Sequence, residues 1–176
     1  DGHPRRRINR WRAEHVRLPR NHGDVGSTPR LIGSYHAIGL GVDAVAFLDA
    51  DNWYGPNHIA DLLAAMDEEN ADFVSSGRTL CRLDGSEMGA CPLTDPERFI
   101  DTNAMLFGRQ AFHQLHHWVL MPNYGHLIGD RIMLNHVRRS NLKRHHLNQG
   151  SVFYRCAKEG LYRQMGEVIP KGVKPR

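Results

Sequence analysis

Val42-Asp43-Ala44-Val45-Ala46-Phe47-Leu48-Asp49-Ala50-Asp51-Asn52 is an apolar run that ends in two carboxylates. A short apolar run bounded by polar turn residues reads as a buried strand. Residues i and i+2 of a strand point to the same side, so Asp49 and Asp51 are expected to share one face. Two unpaired carboxylates that close repel each other. A divalent cation removes that repulsion and lets the pair hold phosphate oxygens.

The segments around this run alternate between helical and strand patterns. Upstream, Thr28 is expected as an N-cap with Pro29 in the first helical position. Leu31, Tyr35 and Ile38 follow at helical spacing, and Gly39 and Gly41 stop the helix. Residues 14–18 read as a short strand. Downstream, Gly55-Pro56 opens a helix with Ile59, Leu62, Leu63 and Met66 on one stripe. Strands are expected over 71–80, 104–107 and 151–154, and helices over 109–118, from Asp130, and over 157–165. Residues 82–98 and 123–129 read as loops, and 168–176 as a loose tail after a domain spanning 1–167. This alternation argues for an α/β fold.

The chain has 176 residues, enough for one domain with a real core. It carries a formal charge of +4 and twelve histidines, a balance that suits anionic ligands without choosing among them. Arg5, Arg6, Arg7, Arg10 and Arg12 concentrate that charge at the start, which reads first as a solvated face and, as the sharper alternative, as a phosphate or membrane contact. No apolar run approaches the roughly 20 residues of a membrane helix, and no secretory pattern opens the chain. Cys81, Cys91 and Cys156 form no metal-binding or disulfide pattern, so a reducing cytoplasmic setting is expected. Asp1-Gly2-His3-Pro4 reads like a turn from the middle of a fold, so an N-terminally truncated fragment is expected.

Four segments then occur in a telling order: Asp24-Val25-Gly26-Ser27-Thr28-Pro29-Arg30, Phe47-Leu48-Asp49-Ala50-Asp51-Asn52-Trp53-Tyr54, Asp101-Thr102-Asn103-Ala104-Met105-Leu106-Phe107 and Gly129-Asp130-Arg131. In this order they resemble family 2 glycosyltransferases. The resemblance implies a GT-A fold, a Rossmann-like mixed sheet flanked by helices. It also implies a nucleotide-sugar donor, an acceptor hydroxyl and Mn²⁺ or Mg²⁺ as cofactor. By the same resemblance Asp49 faces the nucleotide ribose, Asp51 binds the metal, and Asp130 is the general base of an inverting transfer. Asp1 would end the strand that contacts the nucleotide base.

Arg30 is the expected phosphate contact, because a guanidinium fork fits phosphate oxygens. Trp53, Asp101 and Asn103 are expected on the acceptor side. Some enzymes of this fold recruit a late histidine to the metal, which nominates His146 of the His145-His146 pair. His113 and His117 share a helical face at i, i+4, but lack the acidic residue of a zinc-protease motif and read as structural. Arg7-Ile8-Asn9-Arg10-Trp11 matches a processive-synthase pattern only superficially, because it precedes the paired aspartates. The competing readings are a nucleotidyltransferase of similar fold, an Asp-dependent phosphatase and a basic nucleic-acid binder. The phosphatase pattern is broken at Trp53, and no nucleic-acid-binding motif accompanies the arginines.

Overall fold

A computed structural model describes residues 10–175. Its centre is β3 (Phe73–Cys81), nine residues that are all buried. Around it lie α1 (Ser27–Gly39), β1 (Ala44–Ala46), β2 (Trp53–Tyr54), α2 (His58–Glu68), β4 (Glu87–Ala90) and β5 (Met105–Gly108). They are followed by α3 (His117–Leu120), α4 (Gly129–Arg139), β6 (Arg144–Arg155) and α5 (Glu159–Gln164). The strands form one mixed sheet in the order β1-β5-β3-β6-β2. One edge of β3 is shared: Phe73–Ser75 pair with β5, and Thr79–Cys81 pair with β4, both antiparallel. The other edge runs parallel to β6 along its length.

Alternation across the pleat sorts the side chains into two cores. Val45, Phe73, Met105 and Phe107 face α1, α3 and α4, where they meet Leu31, Trp118, Met133 and Val137. Val74, Leu106, Ala44 and Ala46 face the opposite side and meet Leu62 and Ala65 of α2. On the first face the rings meet edge-on, with centroids 5.0 Å apart for Phe73–Phe107 and 5.6 Å for Phe47–Trp118. That geometry adds to the burial of each ring.

Several expectations need correction. Residues 14–18 form no strand; they run along α1, with Glu14 3.9 Å from His36. The strand before the paired aspartates is short, because the Tyr54 hydroxyl donates to the Phe47 carbonyl just beyond Ala46. Asp49 and Asp51 therefore sit in a turn, not on a strand face. Thr28 is not the N-cap: Gly26 holds that place, and the Asp24 carboxylate takes the Thr28 amide proton at 2.7 Å. Residues 82–98 contain β4, an edge strand too polar to stand out in sequence. Residues 109–114 and 123–128 are 3₁₀ turns, not a helix and an open loop. The last strand is far longer than 151–154, because β6 pairs with β3 from Arg144 onward. The tail is tied down at Lys174, which bridges to Lys158, and at Val173, which packs near Tyr162.

The β3–β6 register shifts on both sides of Gly77. A Cβ on Gly77 would lie 3.2 Å from the Asn148 and Gln149 carbonyls, a tight contact that favours glycine at the bulge. Bulges re-aim the side chains beside them. The next residue here is Arg78, a buried arginine in the middle of the sheet.

α3 is held to α4 by histidines. The His117 and His136 rings stack 3.5 Å apart at 10°, and His116 lies 4.1 Å from His117. Burial pushes the His117 imidazole down to about 4, and His136, His116 and His113 act in the same direction. The sign follows from linkage: a histidine lowered on folding contributes stability above its unfolded value near 6.5, and loses it as pH falls toward 4. Melting at pH 5 is therefore expected below melting at pH 7. His117→Gln is expected to shrink that gap, and an unchanged gap would show that the stack does not carry it.

Candidate active site

The site is built where β1 ends, where α1 begins, and where the turn before β5 approaches the start of α4. Gly26 has φ 88°, and a Cβ there would lie 3.2 Å from the Arg30 guanidinium. Glycine therefore lets Arg30 fold back over its own helix start. Arg30 donates to the Val25 carbonyl at 3.0 Å and pairs with Asp49 at 2.7 Å. Val25 itself has φ 55°, a strained conformation for a β-branched residue and one that recurs at ligand sites. The Arg30 guanidinium lies 5.1 Å from the Trp118 ring centroid, so α3 forms the wall behind it.

Asp49 has a second partner. Asn103 accepts the Asp49 backbone N–H at 2.5 Å and donates to its carboxylate at 3.2 Å. Asn103 is fixed in turn by Asp101, which accepts its side-chain amide at 2.6 Å and caps the 3₁₀ turn Thr102–Ala104. The other Asp101 oxygen accepts from Arg78. Arg78, Asp101, Asn103, Asp49 and Arg30 thus form a continuous polar chain from the central strand to α1. Asp101 is 6% exposed and Arg78 5%, so the inner pair is out of water.

Asp130 stands in the first turn of α4, where a carboxylate is favoured by the helix dipole. Its carboxylate accepts the Arg131 amide proton at 2.7 Å. Burial pushes the Asp130 carboxyl above the usual range, and Asp101 adds to the rise. The Arg131 amide and the Arg78 and Arg131 guanidiniums oppose it. Asp130 lies at the junction of two clefts. One, of about 130 Å³, is lined by Arg30, Asp49, Thr102 and Trp118. The other, of about 400 Å³, is lined by Arg78, Phe99, Arg131 and Lys158.

The sequence-predicted residues divide accordingly. Arg30, Asp49, Asp101 and Asp130 line one cleft together. Asp51 is exposed on the same turn as Asp49. Asn103, expected on the acceptor side, is 1% exposed and bonded to Asp49. Trp53 lines neither cleft; it stacks on Phe153 with centroids 5.6 Å apart, and Arg155 covers it at 5.3 Å. His146 bonds Ser75 at 2.9 Å and lies seven residues along β6 from Phe153, the partner of Trp53. At about 3.3 Å per residue it is roughly 20 Å from the Asp51 turn. It is therefore not brought to the metal position proposed for it. Asp1 lies outside the described residues.

Reading the sequence missed Arg78, Trp118, Tyr154 and Lys158. Arg78 did leave a signal, a charge in the interior of the stretch 71–80 read as a strand.

Among the described residues no group of three or more His, Cys, Asp or Glu side chains could hold a metal alone. Asp51 nevertheless offers an exposed carboxylate with no ion pair among the described residues, while Asp49 is already held by Arg30 and Asn103. Mg²⁺ is commonly bound through one or two carboxylates plus substrate phosphates, so this donor set fits a cation carried in with a diphosphate.

The chain matches glycosyl transferase family 2 over residues 5–138. It belongs to that family, and the mixed α/β architecture is the GT-A fold. The protein is therefore a glycosyltransferase, working between a nucleotide-sugar donor and an acceptor. No curated relative matches the chain. Among the described residues no helix is long and apolar enough to cross a membrane.

Proposed function

We propose that the protein transfers a sugar from a nucleoside-diphosphate donor with inversion at the anomeric carbon, assisted by Mn²⁺ or Mg²⁺. Arg30 and Asp49 sit on the donor side, and Asp130 faces the acceptor. Asp130 takes the proton from the acceptor hydroxyl as its oxygen bonds to the anomeric carbon from the face opposite the nucleotide. The bond from that carbon to the diphosphate oxygen breaks, and its electron pair leaves with the nucleoside diphosphate. Asp51 is the candidate metal ligand, and the cation would supply charge neutralisation at the diphosphate. The observation that carries this reading is the place of Asp130: one cleft holds it with Arg30 and Asp49, and burial raises its basicity. A base tuned toward working pH is the more effective proton acceptor.

The test is incubation of the protein with nucleotide sugars and Mn²⁺ while nucleoside diphosphate release is measured. Pyrophosphate release from a nucleoside triphosphate and a sugar phosphate would instead mark a nucleotidyltransferase. Asp51→Asn is expected to weaken metal-dependent nucleotide binding at least about tenfold, the scale on which even outer partners of metal sites act. Unchanged metal dependence in that variant would remove Asp51 from the site.

A further inference from the structure

The larger cleft beside Asp130 is cationic in a way that a neutral sugar does not require. Arg78 is 5% exposed, and its guanidinium lies between the Tyr154 and Phe99 rings, 4.2 and 5.0 Å from their centroids. One of its nitrogens donates to Asp101, but the buried Nε has no hydrogen-bond partner. A buried donor left unpaired costs free energy unless something else meets it. Arg131 also lies over the Phe99 ring, 5.5 Å from the centroid, so two guanidiniums share one aromatic ring. Lys158 also lines the cleft. Among the described residues neither Arg131 nor Lys158 has an ion-pair partner. The cleft's carboxylates are Asp101, already paired with Arg78, and Asp130. Three cations thus face two carboxylates, one of them spoken for.

We propose that the acceptor carries an oxyanion, a phosphate group, that docks between Arg131 and Lys158 beside the buried Arg78 while its hydroxyl reaches Asp130. This rests on Asp130 as the acceptor-side base. The cleft walls also include Leu93, Leu127 and Ile128, which are 37%, 79% and 44% exposed. A phosphate on a soluble sugar and a phosphate on an alkyl chain share the chemistry that the cations recognise. The apolar walls would favour the second.

The experiment measures binding by calorimetry for four probes: glucose 6-phosphate, dodecyl phosphate, and their neutral counterparts glucose and dodecyl maltoside. The two phosphates are expected to bind the protein saturably and their neutral counterparts at least tenfold more weakly. Arg131→Ala and Lys158→Ala are each expected to weaken phosphate binding by about tenfold, and Arg131→Lys by less. Tighter binding of dodecyl phosphate than of glucose 6-phosphate identifies a lipid-borne acceptor, and the reverse identifies a free sugar phosphate. Equal binding of charged and neutral probes, no binding at all, or affinities untouched by both alanine variants would overturn the proposal. Nucleoside diphosphate binding, measured in the same samples, keeps the two readings separable. If it persists while the phosphate preference is absent, only the acceptor assignment fails. If it is absent from the unaltered protein, the donor reading fails first. Arg78 is not varied here, because its removal strands Asp101.

Discussion

Asp130→Asn is expected to lower turnover by about 10²–10⁴-fold, the range of a positioned general base, while nucleoside diphosphate binding stays nearly unchanged. The substitution keeps the shape of the side chain and an oxygen that can accept the Arg131 amide proton, but removes the carboxylate base. Two roles are thereby separated. An Asp130 that merely held the Arg131 amide would tolerate Asn with little cost, because an amide oxygen also accepts that bond. A base would not. The electrostatics add a second readout. Burial raises the Asp130 carboxyl above its usual range, so the folded state holds that proton more tightly than the unfolded chain does. The ionised carboxyl therefore costs stability above its raised pKa, and that cost disappears as pH falls. Asn at this position is expected to melt no lower than the unaltered protein at neutral pH, even as activity collapses. The acid limb of the activity profile is expected above pH 4, where an ordinary aspartate would place it. Full activity in Asp130→Asn would end the assignment of this residue as base.

The place of Asp130 at a helix start was readable in sequence, because a helix start is a local feature. The strands holding Phe73 and Val74, and Met105, Leu106 and Phe107, were also readable, because each is a local apolar run. Long-range pairing was not readable. Placing His146 depended on knowing that β6 begins at Arg144 and runs parallel to β3, which sends His146 to the far end of the sheet from Asp51. The geometry of the paired aspartates was not legible in sequence. The Tyr54 hydroxyl ends β1 early, so Asp49 turns inward to Arg30 and Asn103 while Asp51 stays in solvent. The tie between Asn103 and Asp49 was not readable for a related reason. The Asn103 bonds to Asp49 cross 54 positions of sequence, a distance at which local pattern carries no information. Arg78 was hidden by the rule that buried strands are apolar, and it is the exception on which the site's inner support depends.

That exception supports the second large effect. Arg78→Leu is expected to destabilise the protein by about 3–5 kcal/mol, the cost of breaking a buried ion pair from one side. In a domain of this size each kcal/mol moves the melting temperature by about 2–4 °C, so a fall of roughly 6–20 °C is expected. Leucine fills much of the space and keeps the strand apolar, so the loss comes from Asp101, left buried without its cation. A surface ion pair such as Arg163–Glu159, with Arg163 largely exposed, contributes far less, and Arg163→Ala is the appropriate comparison. The damage should also travel. Asp101 fixes Asn103, and Asn103 holds both the amide and the carboxylate of Asp49, so donor affinity should fall along with the melting temperature. Replacing both members, Arg78→Leu with Asp101→Leu, removes the stranded charge and should recover part of the stability. It should not recover donor affinity, because Asn103 would still lack its anchor. Stability and function are expected to part company in the double variant. If both returned together, the polar chain from β3 to α1 would be a packing feature and not the support of the donor site.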